Sequence, residues 1–152
     1  MGFHALSFGR LILGTLAVLA TPALAWEAGV EGTVCTLSHD EPDARVRLTY
    51  DPATPEYTIT LTRRDEPWVT APNFSLRFDG PRPIFISTDR HTLKAGNAAL
   101  SVADRGFGNV LDGLQFNRTA VAVTGDQAIA IPLDGAAPEV AAFRACATAP
   151  LA

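Results

Sequence analysis

Three stretches of this chain alternate polar and apolar residues with a strict period of two. Residues 45–50 read Arg-Val-Arg-Leu-Thr-Tyr and stop at Asp51-Pro52. Residues 56–62 place Tyr57, Ile59 and Leu61 on one side and Thr58, Thr60 and Thr62 on the other. Residues 74–79 read Phe-Ser-Leu-Arg-Phe-Asp and stop at Gly80-Pro81. Successive side chains of a strand point to opposite faces, so this periodicity demands a sheet with one buried and one wet face. Antiparallel sheets have that character, whereas parallel strands, covered on both sides, read as continuous apolar runs. Weaker strand candidates are residues 30–37, 84–87, 99–103, 119–124 and 128–133. The last two are separated by Gly125-Asp126, a pair suited to a tight hairpin turn.

One late segment departs from this pattern. Residues 136–147 are alanine-rich, with Pro138 and Glu139 placed for a first helical turn. Ala136, Val140, Phe143 and Ala147 form one helical stripe, and Cys146 lies at its margin. Residues 109–114 fit either a helical turn or part of a loop. No repeat or linker divides the chain. The expected fold is therefore mainly β: an antiparallel β-sandwich or barrel-like sheet with one short C-terminal helix.

The compartment follows from the N-terminus and the cysteines. Arg10 is the only charged side chain before an apolar run over residues 11–20, which is followed by Pro22 and Ala23-Leu24-Ala25. A basic start, a short apolar core and an A-x-A site read as a secretory signal peptide, cleaved after Ala25, ahead of a single domain over residues 26–152. The core is about half the ~20 apolar residues that a membrane-spanning helix needs. In an exported chain Cys35 and Cys146 read as one disulfide, stapling the C-terminal helix to the first strand candidate. Periplasmic or secreted localisation is expected, with no membrane span after cleavage. The chain carries 12 Lys and Arg against 16 Asp and Glu, and cleavage would remove only Arg10 from that balance. An acidic surface offers nucleic acid no electrostatic attraction.

Few residues carry recognisable chemistry. His39 and His91 are the histidines after Ala25, each flanked by acids in His39-Asp40-Glu41 and Asp89-Arg90-His91. A metal would require those two segments to meet, and neither has a recognised ligand spacing, so no metal or cofactor is expected. Ser87, Asp89 and His91, and likewise Ser38-His39-Asp40, hold the residue types of nucleophilic catalysis, but neighbours on a strand face opposite ways. No G-x-S-x-G elbow exists. Gly106-Phe107-Gly108 lacks the third glycine of a dinucleotide fingerprint, since position 111 is Leu111. The glycines are expected to serve positive φ in a tight loop, where Arg105, Phe107 and Asn109 could contact a partner. Trp68, in the proline-bracketed run 66–72, fits an interface anchor or a lid on the core. Asn117-Arg118-Thr119 matches a glycosylation sequon by pattern.

The runs 57–62, 74–78, Asp89-Arg90-His91 and 104–114, with the ending from Leu133 through Cys146, resemble an uncharacterised family of small exported alphaproteobacterial proteins. The resemblance spans nearly all of residues 26–152 and implies no catalytic residues. Members are sometimes labelled as a component of the excinuclease ABC DNA-repair complex, which the residues here contradict. There is no G-x-x-x-x-G-K-[ST] loop, and Lys94 is followed by Ala95-Gly96. The ending also resembles the closing helix of invasion-associated locus B proteins. The leading expectation is an exported, non-catalytic binding or envelope-associated domain, its partner an envelope protein or a small ligand. The alternatives are a small periplasmic hydrolase or metal-dependent enzyme around Asp89, His91 and His39, and an inhibitor of an envelope enzyme.

Overall fold

The computed structural model describes Gly2 and residues 25–150. The expected signal segment therefore lies outside the described residues, apart from Gly2 and Ala25. Ten strands run β1 (Glu27–Glu31), β2 (Val34–Asp40), β3 (Ala44–Asp51), β4 (Glu56–Arg63), β5 (Phe74–Asp79), β6 (Ile84–Thr88), β7 (Thr92–Lys94), β8 (Ala99–Asp104), β9 (Thr119–Thr124) and β10 (Gln127–Pro132) among the described residues. Two helices, α1 (Gly108–Phe116) and α2 (Ala136–Ala147), follow β8 and β10. The strands form a six-stranded sheet, β1-β2-β3-β4-β8-β7, and a four-stranded sheet, β10-β9-β5-β6, and every pairing is antiparallel.

The alternation read from the sequence becomes rows of side chains across each sheet. In the larger sheet Leu37, Leu48, Ile59 and Val102 lie in register and are buried. One step along, His39, Val46, Leu61 and Leu100 form a second buried row. In the smaller sheet Phe74, Leu76 and Phe78 supply the inward face of β5, beside Ala120, Ala122 and Thr124 of β9. The outward positions carry Thr58, Thr60, Arg77 and Phe85. The fold is thus sandwich-like, with one core fed by both sheets.

Three expectations are corrected. The single strand expected at residues 30–37 is a hairpin: β1 and β2 turn at Gly32-Thr33, where Gly32 takes φ 62°. Cys35 accordingly sits on the second strand. The ambiguous segment 109–114 lies within α1, so the described residues hold two helices rather than one. Gly106 and Gly108 do not adopt positive φ, whereas Gly125, in the expected β9–β10 turn, does at 57°.

Helix α1 explains its own poor legibility. It has no side-chain cap at Phe107, and Gly113 lies in its interior, a residue costing about 1 kcal/mol there relative to Ala. The packing requires it: a Cβ on Gly113 would stand 2.4–2.5 Å from three ring carbons of Phe78, which is fully buried. Gly113→Ala is expected to lower the urea midpoint through a loss of about 1–3 kcal/mol, despite its better helix propensity. A midpoint at or above the native one would show that Phe78 moves aside freely.

Helix α2 lies where the stripe places it, burying Ala136, Val140 and Phe143. Cys146 is bonded to Cys35 with a Cα–Cα distance of 6.0 Å. Glu139 accepts a hydrogen bond from the Ala28 backbone N–H at 2.8 Å, tying α2 to β1 as well. Arg144 pairs with Asp112 of α1 at 2.5 Å.

Candidate functional site

Between the sheets, beside the start of α1, a cleft of about 410 Å³ remains unfilled. Ile59 and Val102 of the larger sheet form one wall, and Phe74, Leu76 and Ile86 of the smaller sheet form the other. The reason is local. The interior of α1 packs on Phe78 through Gly113, but the helix is entered through Gly106-Phe107-Gly108, which carries a single side chain over three residues. A Cβ at Gly106 or Gly108 would meet nothing within 4 Å, so the glycines keep space open rather than make a strained turn. Arg90 and Asp104 form an ion pair of 2.5 Å on the cleft lining, where Asn109 and Thr88 add polar groups. The Arg105 backbone N–H and the Arg90 guanidinium hold the Asp104 carboxyl below its ordinary range, so the pair stays charged near neutrality.

On the other side of the same loop lies a second hollow of about 380 Å³. Gly106, Phe107 and Gly108 line both spaces. Phe107 is itself buried and stacks on Tyr57, with ring centroids 5.5 Å apart. Tyr57 also meets Tyr50 at 4.5 Å and Phe143 at 6.3 Å. Burial, reinforced by the neighbouring Tyr50, raises the Tyr57 phenol above its ordinary value, so it remains protonated near neutrality.

The residues singled out in the sequence fall into separate places. Arg105 is exposed on the loop before α1 and Asn109 is exposed in the first turn of α1 rather than on the loop expected for it, while Phe107 lies between the two cavities. Trp68 is elsewhere. It is 1% exposed, and its indole N–H donates to the Leu61 carbonyl at 3.0 Å, so it is a lid on the core rather than a surface anchor. Its segment straps the sheets together. The Trp68 N–H donates to the Asn97 carbonyl, while Gln127 bonds the backbone of both Pro67 and Val69.

His39 lies on β2, whereas His91 lies in the β6–β7 connection just before the edge strand β7, and β3, β4 and β8 separate β2 from β7. His39 is buried, stacked on Trp26 at 4.7 Å, and its Nε2 bonds Glu41 at 2.7 Å. His91 lies 6.3 Å from the Phe74 ring, and its Nδ1 has no partner among the described residues. Asp89 is exposed, and the Ser87 hydroxyl accepts a hydrogen bond from Ser75 rather than facing a base. Among the described residues no three His, Cys, Asp or Glu side chains gather as metal ligands. The sequon residue Asn117 is buried, its amide donating to the Arg82 and Gly113 carbonyls and accepting from the Arg82 N–H. A side chain so engaged cannot accept a glycan without local unfolding.

The sequence reading missed the walls Ile59, Leu76, Ile86 and Val102, because each looks like ordinary strand core. It also missed Arg90, Asp104 and Arg144. Only Asp104 stands beside the glycine-rich loop in sequence; Arg90 and Arg144 lie in remote segments, so nothing local shows that they meet it.

Near Trp68 a charged cluster gives a pH prediction. Arg63 stands 5.3 Å over the indole and bonds both Asp65 and Glu66. The Arg63 guanidinium, then the Glu66 backbone N–H, lower the Asp65 carboxyl from 3.8 to about 2. A depressed carboxyl adds stability above its unfolded pKa and loses it as pH falls through the folded one. Asp65→Asn should therefore lower the urea midpoint at pH 6, and the gap should close as pH falls from 4 to 2. A gap constant across that window would refute the linkage.

Among the described residues no helix is long and apolar enough to cross a membrane. Comparison with family models, curated proteins and solved structures finds no match to this chain.

Proposed function

We propose that this protein is an exported, non-catalytic binding domain whose small ligand enters the cleft between the two sheets. The observation carrying this reading is the cleft itself, a cavity of about 410 Å³ walled by apolar side chains of both sheets and lined also by Ser87, Thr88, Arg90, Asp104 and Asn109. Ligand sites are commonly concave, mostly apolar and of roughly 300–1,000 Å³, with few polar groups to orient the guest. The disulfide accords with an oxidising compartment. Export is further supported by the signal-like N-terminus and by Trp26, 4% exposed, standing directly after Ala25. Asp89, His91 and His39 lack the mutual contacts that general base or metal chemistry needs.

The test uses N-phenyl-1-naphthylamine, a neutral fluorophore that brightens in apolar cavities. Saturable one-to-one binding is expected, lost in Ile86→Trp and in Gly106→Leu while circular dichroism stays native. Gly106 suits this purpose because its φ is not positive and its side-chain space is empty. Absence of saturable binding, or binding indifferent to both variants, would overturn the site. Turnover of ester, peptide or glycan substrates that disappears in His91→Ala would overturn the non-catalytic reading.

A further inference from the structure

Resting on that reading, we infer that the ligand is a single-chain amphiphile with an anionic head. Its apolar chain lies in the inter-sheet cleft, and its head sits in the second hollow beside Arg105 and Arg144.

The two spaces differ in chemistry. Aliphatic and aromatic side chains of both sheets wall the cleft, and the cation on its lining, Arg90, is matched by Asp104 at 2.5 Å. The second hollow carries two arginines, the Tyr57 phenol and Thr148, and among the described residues no acid lines it. Arg144 is matched by Asp112, whereas Arg105 makes no ion pair among the described residues. Of the three arginines without an ion pair among the described residues, Arg82, Arg105 and Arg118, Arg105 is the one that lines either space. The half-buried Tyr57 phenol stays protonated and adds no opposing charge. Guanidinium forks bind carboxylates and phosphates through paired N–H donors.

The spaces are also adjacent, because Gly106, Phe107 and Gly108 border both. A guest of the cleft that extends past Phe107 therefore reaches the arginines. The glycines on either side of Phe107 raise no Cβ obstacle to that path. A head small enough for the hollow but without a chain would forgo the burial of apolar surface that supplies most of the affinity.

Isothermal calorimetry of the oxidised protein with dodecanoate, dodecanol and butyrate, at concentrations below micelle formation, tests the assignment. Dodecanoate is expected to bind one-to-one and about tenfold more tightly than dodecanol, as a charged hydrogen bond supplies. Arg105→Gln should abolish that difference by weakening dodecanoate alone, and Arg105 is exposed enough that the fold is not in question. Equal affinities for the acid and the alcohol, or equal losses of both in Arg105→Gln, would overturn the anionic head. Butyrate binding as tightly as dodecanoate would overturn the chain. If N-phenyl-1-naphthylamine enters the cleft and dodecanoate does not bind, the amphiphile assignment alone fails. If neither binds, the cleft reading fails with it.

Discussion

Cys35→Ser/Cys146→Ser is expected to lower the unfolding free energy by about 3–5 kcal/mol. The bond closes a loop of sequence separation 111, one of the longest this chain could form. In the loop-closure account a cross-link of that span removes about 4–5 kcal/mol of unfolded-chain freedom. Cα atoms 6.0 Å apart match an ordinary disulfide, so the native backbone needs no distortion to make it. Once the bond is lost, Glu139 to Ala28 and Arg144 to Asp112 remain as polar ties between α2 and its neighbours. One half-buried ion pair and one backbone hydrogen bond add about 1 kcal/mol each, so they cannot replace the covalent link. Urea unfolding with and without reductant, beside the double variant, measures the effect. A midpoint unchanged by either would show that α2 holds its place by packing alone. Arg144 is carried on α2, so the double variant also probes whether the second hollow depends on that anchor.

Trp68→Ala should cost about 3–5 kcal/mol, the range for truncating a buried large aromatic side chain. The indole is 1% exposed, donates to the Leu61 carbonyl and lies beneath the Arg63 guanidinium. Trp68→Phe keeps most of the volume and loses the hydrogen bond and part of the cation–π contact, for about 1–2 kcal/mol. Urea titration of both variants gives the ratio. The Trp68 contacts lie at the Leu61 end of β4, whereas the cleft reaches that strand at Ile59. Affinity for N-phenyl-1-naphthylamine should therefore survive in Trp68→Phe. A variant of native stability that loses binding would return Trp68 to the role of a contact residue.

The alternation over residues 45–50, 56–62 and 74–79 determined three strands and the face each buries, because pleating fixes side-chain direction whatever lies opposite. Two cysteines permitted one intramolecular pairing, and the stripe from Ala136 to Phe143 determined which face of α2 is buried. Local turn chemistry was legible at Gly125-Asp126 but not at Gly32-Thr33. There the flanking Val30 and Val34 read as one continuous strand, and Val30 proves to be 61% exposed. Helix α1 was hidden because its glycine is explained only by Phe78, a residue of β5.

The candidate site was the least legible part. Arg105, Phe107 and Asn109 were readable as a loop able to make contacts, since glycines beside polar residues mark such loops. The cavity beneath them is assembled from β4, β5, β6, β8 and the start of α1, and its walls are indistinguishable in sequence from the rest of the core. An unfilled space results from where elements stop touching, and no single segment records that. The sequence alone thus determined strand faces and the pairing of its cysteines, set by local periodicity and by count. Tertiary structure alone decided that His39 and His91 stay apart, that Trp68 lies inside and that a cleft opens at Gly106, because each depends on distances between segments remote in the chain.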